Sequence, residues 1–166
     1  PTRPEPTPPG AISPSCMLTI VISPPRLVYE SWKELTAPVD VSVVAPAIIS
    51  GNTVVVVSSY ARPVPAIDLA EVLATSDVPG GVVNLLTGDA ASIGPWLASH
   101  MDVNAIDLCG VSGASELLRD LEVAAADNLK RVRRAPGGEP DWSAEPSLTA
   151  MTDFLEIKTV WHPLGV

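Results

Sequence analysis

The sequence predicts a doubly wound α/β fold, a parallel sheet with helices on both faces. Three features carry that prediction. Short runs such as Val54-Val-Val-Val57 and residues 82–86 place apolar side chains on both faces of a strand, as strands covered on two sides do. Segments with helical spacing lie between these runs. Turn formers such as Pro79-Gly80-Gly81 separate the two kinds. Strand–helix–strand order requires crossover connections, so neighbouring strands run parallel and helices cover the sheet. The arrangement is Rossmann-like, and ligands of such folds sit beyond the carboxyl ends of the strands.

Residues 1–10 are rich in proline and nearly free of apolar side chains, which reads as a disordered or polyproline-like tail. One domain is expected over 11–134. Residues 17–22 form a β-rich run, Pro24-Pro25 breaks it, and 27–35 suits a short helix before Pro38. The run 54–57 is a buried strand. Residues 65–74 make a helix with Ile67, Ala70, Leu73 and Ala74 on its apolar face and Pro65 near its start. A second buried strand spans 82–86, and Thr87-Gly88-Asp89 leaves its carboxyl end. A short helix at 92–99, a strand at 105–108 and a loop at 110–113 follow. The helix at 114–126 turns Leu117, Leu118, Leu121 and Ala125 inward, and 129–133 is a fourth strand. Residues 135–146 are a linker. In the last segment, 147–166, residues 147–154 support a helical turn or two. Leu155-Glu-Ile-Lys-Thr-Val-Trp161 alternates apolar and polar side chains, the mark of a separate, half-buried strand.

The composition narrows the possible roles. No apolar stretch reaches the ~20 residues of a membrane span, and residues 1–10 lack the layout of a signal peptide. Two cysteines, Cys16 and Cys109, offer neither a disulfide framework nor metal spacing, so a reducing, cytoplasmic setting is expected. The net charge of −9 opposes nucleic-acid binding, which needs a positive surface. The basic run Lys130-Arg-Val-Arg-Arg134 reads either as an anion or acidic-partner patch or, preferably, as a solvated strand end and loop. His100 reads as a helix-end cap and His162 as a tail residue. Neither has ligand-spaced company, so no metal site is expected. Asp102, Asp107 and Glu116 read as surface or loop carboxylates.

Several segments follow a recognisable order. Pro46-Ala-Ile-Ile-Ser-Gly51-Asn52-Thr53-Val-Val resembles the aldehyde dehydrogenase segment in which a helix ends at Gly-Asn and enters a buried strand. Val78-Pro-Gly-Gly-Val-Val-Asn-Leu-Leu-Thr-Gly88 is similar to that family's Pro-Gly-Val-Val-Asn strand and following glycine. Ser99-His100-Met-Asp102-Val103-Asn-Ala-Ile106 resembles its approach to the next strand, and Asn128-Leu129-Lys130-Arg131-Val132 its strand leading to Glu-Leu-Gly-Gly. Glu156-Ile-Lys158-Thr159-Val160-Trp161 resembles the closing strand of its oligomerisation domain. The spacing between Gly10 and Gly51 is longer than the family pattern.

The resemblance implies a chemistry whose parts can be sought one by one. A thiolate attacks the aldehyde, an amide holds the oxyanion, and a carboxylate activates water. The nucleophilic cysteine lies in a catalytic domain beyond Glu-Leu-Gly-Gly, and this sequence passes from that point to the terminal strand between Ala135 and Leu155. Cys109 falls where the family has Thr and reads as a small buried residue. The general base falls on Ala135, and Ser23-Pro24-Pro25-Arg26 holds no oxyanion Asn. No catalytic residue is expected. A vestigial cofactor site would retain Gly88, Gly94 and Gly110. The ribose-clamping Lys and following Glu become Val57 and Tyr60, a usual second Gly becomes Ala90, and the pyrophosphate Ser becomes Val111. Losing that last charge-assisted bond costs ~1.5–3 kcal/mol, and ~1.4 kcal/mol is tenfold in affinity, so any NAD(P) binding is expected to be weak.

A lone alternating strand exposes an edge that strand addition to a partner would cover, with Ile157, Thr159, Val160 and Trp161 as the interface. The alternative is that it packs on its own sheet. The resemblance therefore implies a non-catalytic structural or regulatory subunit that assembles with a full-length aldehyde dehydrogenase, or with itself. A second expectation is an NAD-dependent aldehyde oxidoreductase subunit whose Cys and Glu come from a partner chain. A third is a small-ligand sensor using the cofactor cleft.

Overall fold

The apolar runs of the sequence become a five-stranded parallel sheet. A computed structural model describes residues 18–22, 37–61, 63–134, 137, 147–155 and 161. Its strands are β1 Leu18–Ile22, β2 Thr53–Ser58, β3 Val83–Thr87, β4 Val103–Asp107 and β5 Arg131–Arg133. Its helices are α1 Ala37–Ile49, α2 Val64–Ala74, α3 Ala90–Ser99, α4 Ser115–Ala126 and the short α5 Leu148–Thr152. The strand order is β3-β2-β1-β4-β5, every pair parallel. The chain thus winds outward from β1 in one direction and then in the other, which is the doubly wound, Rossmann-like topology. Among the described residues no helix is long and apolar enough to cross a membrane.

The period-2 alternation of a strand sorts the valines of β2 onto two faces. Val54 and Val56 join Val43, Val44, Ala47, Ala105 and Phe154 in one core cluster. Val57, with Val55 beside it, joins Ala98, Val103, Ile106, Leu108, Val111, Leu121 and Ala125 in the other. The sequence places β2 correctly as a strand buried on both sides, and it also gives the inward face of α4. Helix α1 stops at Gly51, whose φ of +86° is a left-handed conformation that glycine adopts without a Cβ clash. Its N–H donates to Ile48 O at 2.9 Å.

Several local expectations are corrected. β3 is an edge strand with Leu86 38% exposed, not a second buried one; an apolar run reads the same at the edge as in the centre of a sheet. In α2 the buried residue is Ala66, while Ile67 is 47% exposed and Ala74 is exposed, because α2 covers only the sheet edge. α3 begins two residues earlier than the spacing suggests. β5 begins at Arg131 rather than Leu129, which occupies a turn at φ +57°. The helix expected at 27–35 lies outside the described residues.

The segment after the linker is not separate from the domain at its start. Phe154, just beyond α5, is 1% exposed and lies among the α1-side core residues. Its carbonyl accepts from Asn52 Nδ2 at 3.1 Å, and the same amide donates to Ala47 O at 3.0 Å. One side chain therefore ties the end of α1, the start of β2 and the C-terminal segment together. Phe154→Ala should destabilise the domain by about 3–5 kcal/mol through the cavity it leaves, read from urea unfolding. A loss below about 1 kcal/mol would show that the core closes without this side chain.

Candidate functional site

At the carboxyl edge of the sheet three turns among the described residues frame the candidate site. Ser58-Ser59-Tyr60 leaves β2, Thr87-Gly88-Asp89 leaves β3, and Leu108 to Val111 leaves β4 through a tight turn at Cys109–Val111. The structure brings Gly88 and Gly110 to this edge, as the sequence implies. A Cβ at Gly88 would meet only the tip of the Ile93 side chain, which can move aside. Gly110 is buried within its turn. Gly94 is not in a glycine-rich turn. It is buried inside α3.

The two valines at the positions of the expected polar contacts face inward. Val57 is 0% exposed and Val111 5% exposed, both in the cluster beneath α3 and α4. Tyr60 is 76% exposed. The polar groups left near this edge are of other kinds. Asp89 stands at the N-cap of α3 without capping it through its side chain, and accepts from Ser92 Oγ at 3.0 Å. A carboxylate there occupies the field that a helix N-terminus would otherwise offer to a phosphate. Ser58 Oγ donates to Leu86 O. Ser59 is 8% exposed, and its hydroxyl lacks a hydrogen-bond partner.

Asp107 overturns its reading as a surface carboxylate. It is 1% exposed at the end of β4, accepts from Arg133 Nη1 at 2.6 Å and accepts from the Cys109 N–H at 2.9 Å. Arg133 Nε also donates to Asp153 at 3.1 Å. Sequence reasoning missed this constellation because its members lie on β4, β5 and the segment after α5; the only local signal was Asp at a strand end two residues before the turn. Burial works against the charge of Arg133, but Asp107 and then Asp153 outweigh it and raise its pKa.

The basic run is only in part the solvated strand end the sequence suggests, since Arg134 is exposed but Lys130 and Arg133 are drawn inside. Lys130 is 8% exposed, and its ammonium donates to His100 O, Val103 O and Asn128 Oδ1, while burial lowers its pKa. Arg134 pairs with Glu122, and Arg131 also has a partner. His100 does cap the end of α3, and its Nδ1 accepts from the Asp102 N–H at 3.2 Å.

Cys109 is the small buried residue the sequence suggested, 1% exposed. Burial first, and the neighbouring Asp107 second, push its thiol up to about 12. A nucleophile needs the thiolate, so this sulfur cannot supply one near neutral pH. Among the described residues no three His, Cys, Asp or Glu side chains gather as metal ligands. At the C-terminal end, Leu155 is 41% exposed and Trp161 88% exposed, whereas Ile157, Thr159 and Val160 lie outside the described residues.

The order of these turns on this topology is matched by a family model. Residues 37–143 match the aldehyde dehydrogenase family. The chain belongs to that family. It is 36% identical over 121 residues to mouse aldehyde dehydrogenase 1A1, a match covering 72% of this chain and 24% of that protein. It is 29% identical over 123 residues to an aldehyde dehydrogenase-like protein of Schizosaccharomyces pombe, covering 74% of this chain and 23% of that protein. The structure resembles the aldehyde dehydrogenase of Bartonella henselae with a TM-score of 0.57 and 28% identity, over 70% of this chain and 22% of that one. The chain thus spans about a quarter of the length of the relatives it matches.

In a Cys16→Ser background, alkylation of Cys109 at pH 8 should run about a thousandfold slower in the native chain than after unfolding in urea. The shift has a sign for stability: a thiol raised from 9.0 to about 12 stabilises the fold below pH 9 and loses that contribution as pH rises towards 12. Cys109→Ala should flatten that part of the pH–stability curve, and equal alkylation rates in both states would contradict the burial. Separately, Arg133→Met should destabilise by about 3–5 kcal/mol because it leaves Asp107 buried and unpaired. Adding Asp107→Asn to that variant should recover part of the loss in the same denaturation experiment.

Proposed function

We propose that this chain is a non-catalytic member of the aldehyde dehydrogenase family, a structural or regulatory subunit that assembles with an active aldehyde dehydrogenase. The inward packing of Val57 and Val111, at 0% and 5% exposure, carries the reading. These positions correspond to a ribose-clamping Lys and a pyrophosphate-binding Ser in the resemblance, and here they serve the core. A dinucleotide would also meet the Asp89 carboxylate at the start of α3, where its phosphates gain most from the helix. The residues present do not suit NAD(P), and no step of a reaction is assigned to it.

The loss of catalytic parts points the same way. The Cys109 thiol is buried and held protonated, and Ala135 stands where the general base belongs. We infer that the alternating segment 155–161, through Ile157, Thr159, Val160 and Trp161, adds to a partner's sheet edge. The 88% exposure of Trp161 supports an anchoring role, since aromatic side chains buried on association dominate many interfaces. The cysteine usage supports a cytoplasmic setting.

Calorimetric titration with NAD should show no saturable binding in the micromolar range, and the purified chain should not oxidise aldehydes. Mixed with an aldehyde dehydrogenase from the same cell, it should co-elute with that enzyme, and Trp161→Asp should weaken the association at least tenfold. Micromolar NAD binding would overturn the reading in favour of an oxidoreductase subunit completed by a partner's Cys and Glu. A monodisperse monomer indifferent to any dehydrogenase would overturn the assembly itself.

A further inference from the structure

We propose that the end of the domain opposite the candidate site, centred on Met101 and Leu129, is a docking surface for a protein partner whose matching face is apolar with a basic rim. The argument begins with Leu129. It holds a left-handed backbone at φ +57° and is 91% exposed. A leucine in that conformation is strained, and glycine or asparagine would make the same turn at lower cost. Its side chain gains almost no burial in return. No burial among the described residues accounts for leucine here, whereas an apolar contact with another surface does. Strain without an internal return is a pointer to function.

The neighbourhood of Leu129 is built rather than incidental. Asn128 Nδ2 and Lys130 Nζ both donate to His100 O, which ties the turn before β5 to the turn before β4. Lys130 is buried and also donates to Val103 O at 3.0 Å, so the two turns are held on a rigid base. This places Met101, 82% exposed, at the same end of the molecule as Leu129. Trp96, 79% exposed, lies one helical turn before His100 on α3 and extends the apolar character along that helix. A surface fixed in advance loses less entropy on binding.

Charge selects the occupant. Asp102 and Asp127, both exposed, flank the two apolar residues. Of the cations that follow Leu129, Lys130 is committed to three oxygens, and Arg131 already has a partner. The rim presented outward is acidic, on a chain of net charge −9. A second copy would bring this acidic rim against its own equivalent, whereas a partner bearing Lys or Arg around an apolar centre complements it.

The test uses a synthetic amphipathic peptide of leucine and lysine as the probe, with a leucine and glutamate peptide of the same pattern as its counterpart. Titrated into the isotopically labelled chain, the lysine peptide should shift the amide signals of residues 96–102 and 127–130. Leu129→Asn should weaken that binding at least tenfold while leaving the unfolding midpoint unchanged or higher, a combination that a purely structural leucine would not produce. Met101→Ser should weaken it in the same direction. Asp102→Asn with Asp127→Asn should weaken it severalfold and reduce its salt dependence. Equal binding of the glutamate peptide, unchanged affinity of Leu129→Asn, or shifts spread over the whole surface would overturn the proposal. Self-association of the free chain that Leu129→Asn abolishes would overturn it too, by making a second copy the occupant.

Discussion

A carboxylate removed from water must be paired, and at Asp107 that requirement organises one whole end of the molecule. Its burial at the carboxyl end of β4 obliges Arg133 to stand beside it at the end of β5, which holds the three-residue edge strand in register. Its second oxygen holds the Cys109 N–H and so orients the tight turn that carries Gly110 and Val111. Through Asp153, Arg133 extends the same network to the segment after α5. A buried pair of this kind contributes little net stability compared with an apolar replacement, but breaking it is costly. Its effect is to exclude arrangements in which β5 slips or the C-terminal segment detaches.

The same network accounts for the character of the candidate site. In a doubly wound sheet the carboxyl ends of the strands are where ligands are met. Here that edge is finished from within: Asp107 is satisfied by Arg133 and a backbone N–H, Val57 and Val111 fill the core beneath it, and Asp89 occupies the start of α3. Asp107 and Ser58 are engaged from within, while Thr87 and Asp89 stay exposed. The family topology is kept at this edge.

The opposite end follows a contrasting logic. There Lys130 spends its charge on carbonyl and amide oxygens inside the protein, and the apolar side chains of Met101 and Leu129 stand in solvent. Buried polar groups with satisfied bonds make a rigid platform, and exposed apolar groups on such a platform suit association better than folding. The two ends of the sheet thus bury different charges, a carboxylate paired with Arg133 at one and an ammonium held by carbonyls at the other.

Much of this was legible in local pattern. The valine run of β2, the inward face of α4 and the glycine that ends α1 follow from period, turn chemistry and motif order, because each depends on residues close in sequence. Other features depend on what lies across the sheet. Whether an apolar run is central or at an edge is decided by its neighbours, so β3 looked buried. Whether Asp107 is a surface carboxylate or the anchor of a network is decided by Arg133 and Asp153, which approach it only in three dimensions. Lys130 looked like part of a solvated basic run until two turns closed around its ammonium, and Phe154 looked like part of a separate tail until α1 covered it. Local periodicity by itself determined the strand–helix alternation from β2 to β5, whereas α1 was implied only by motif order. Tertiary structure alone decided which charges are buried, since that depends on partners that spacing along the chain does not reveal.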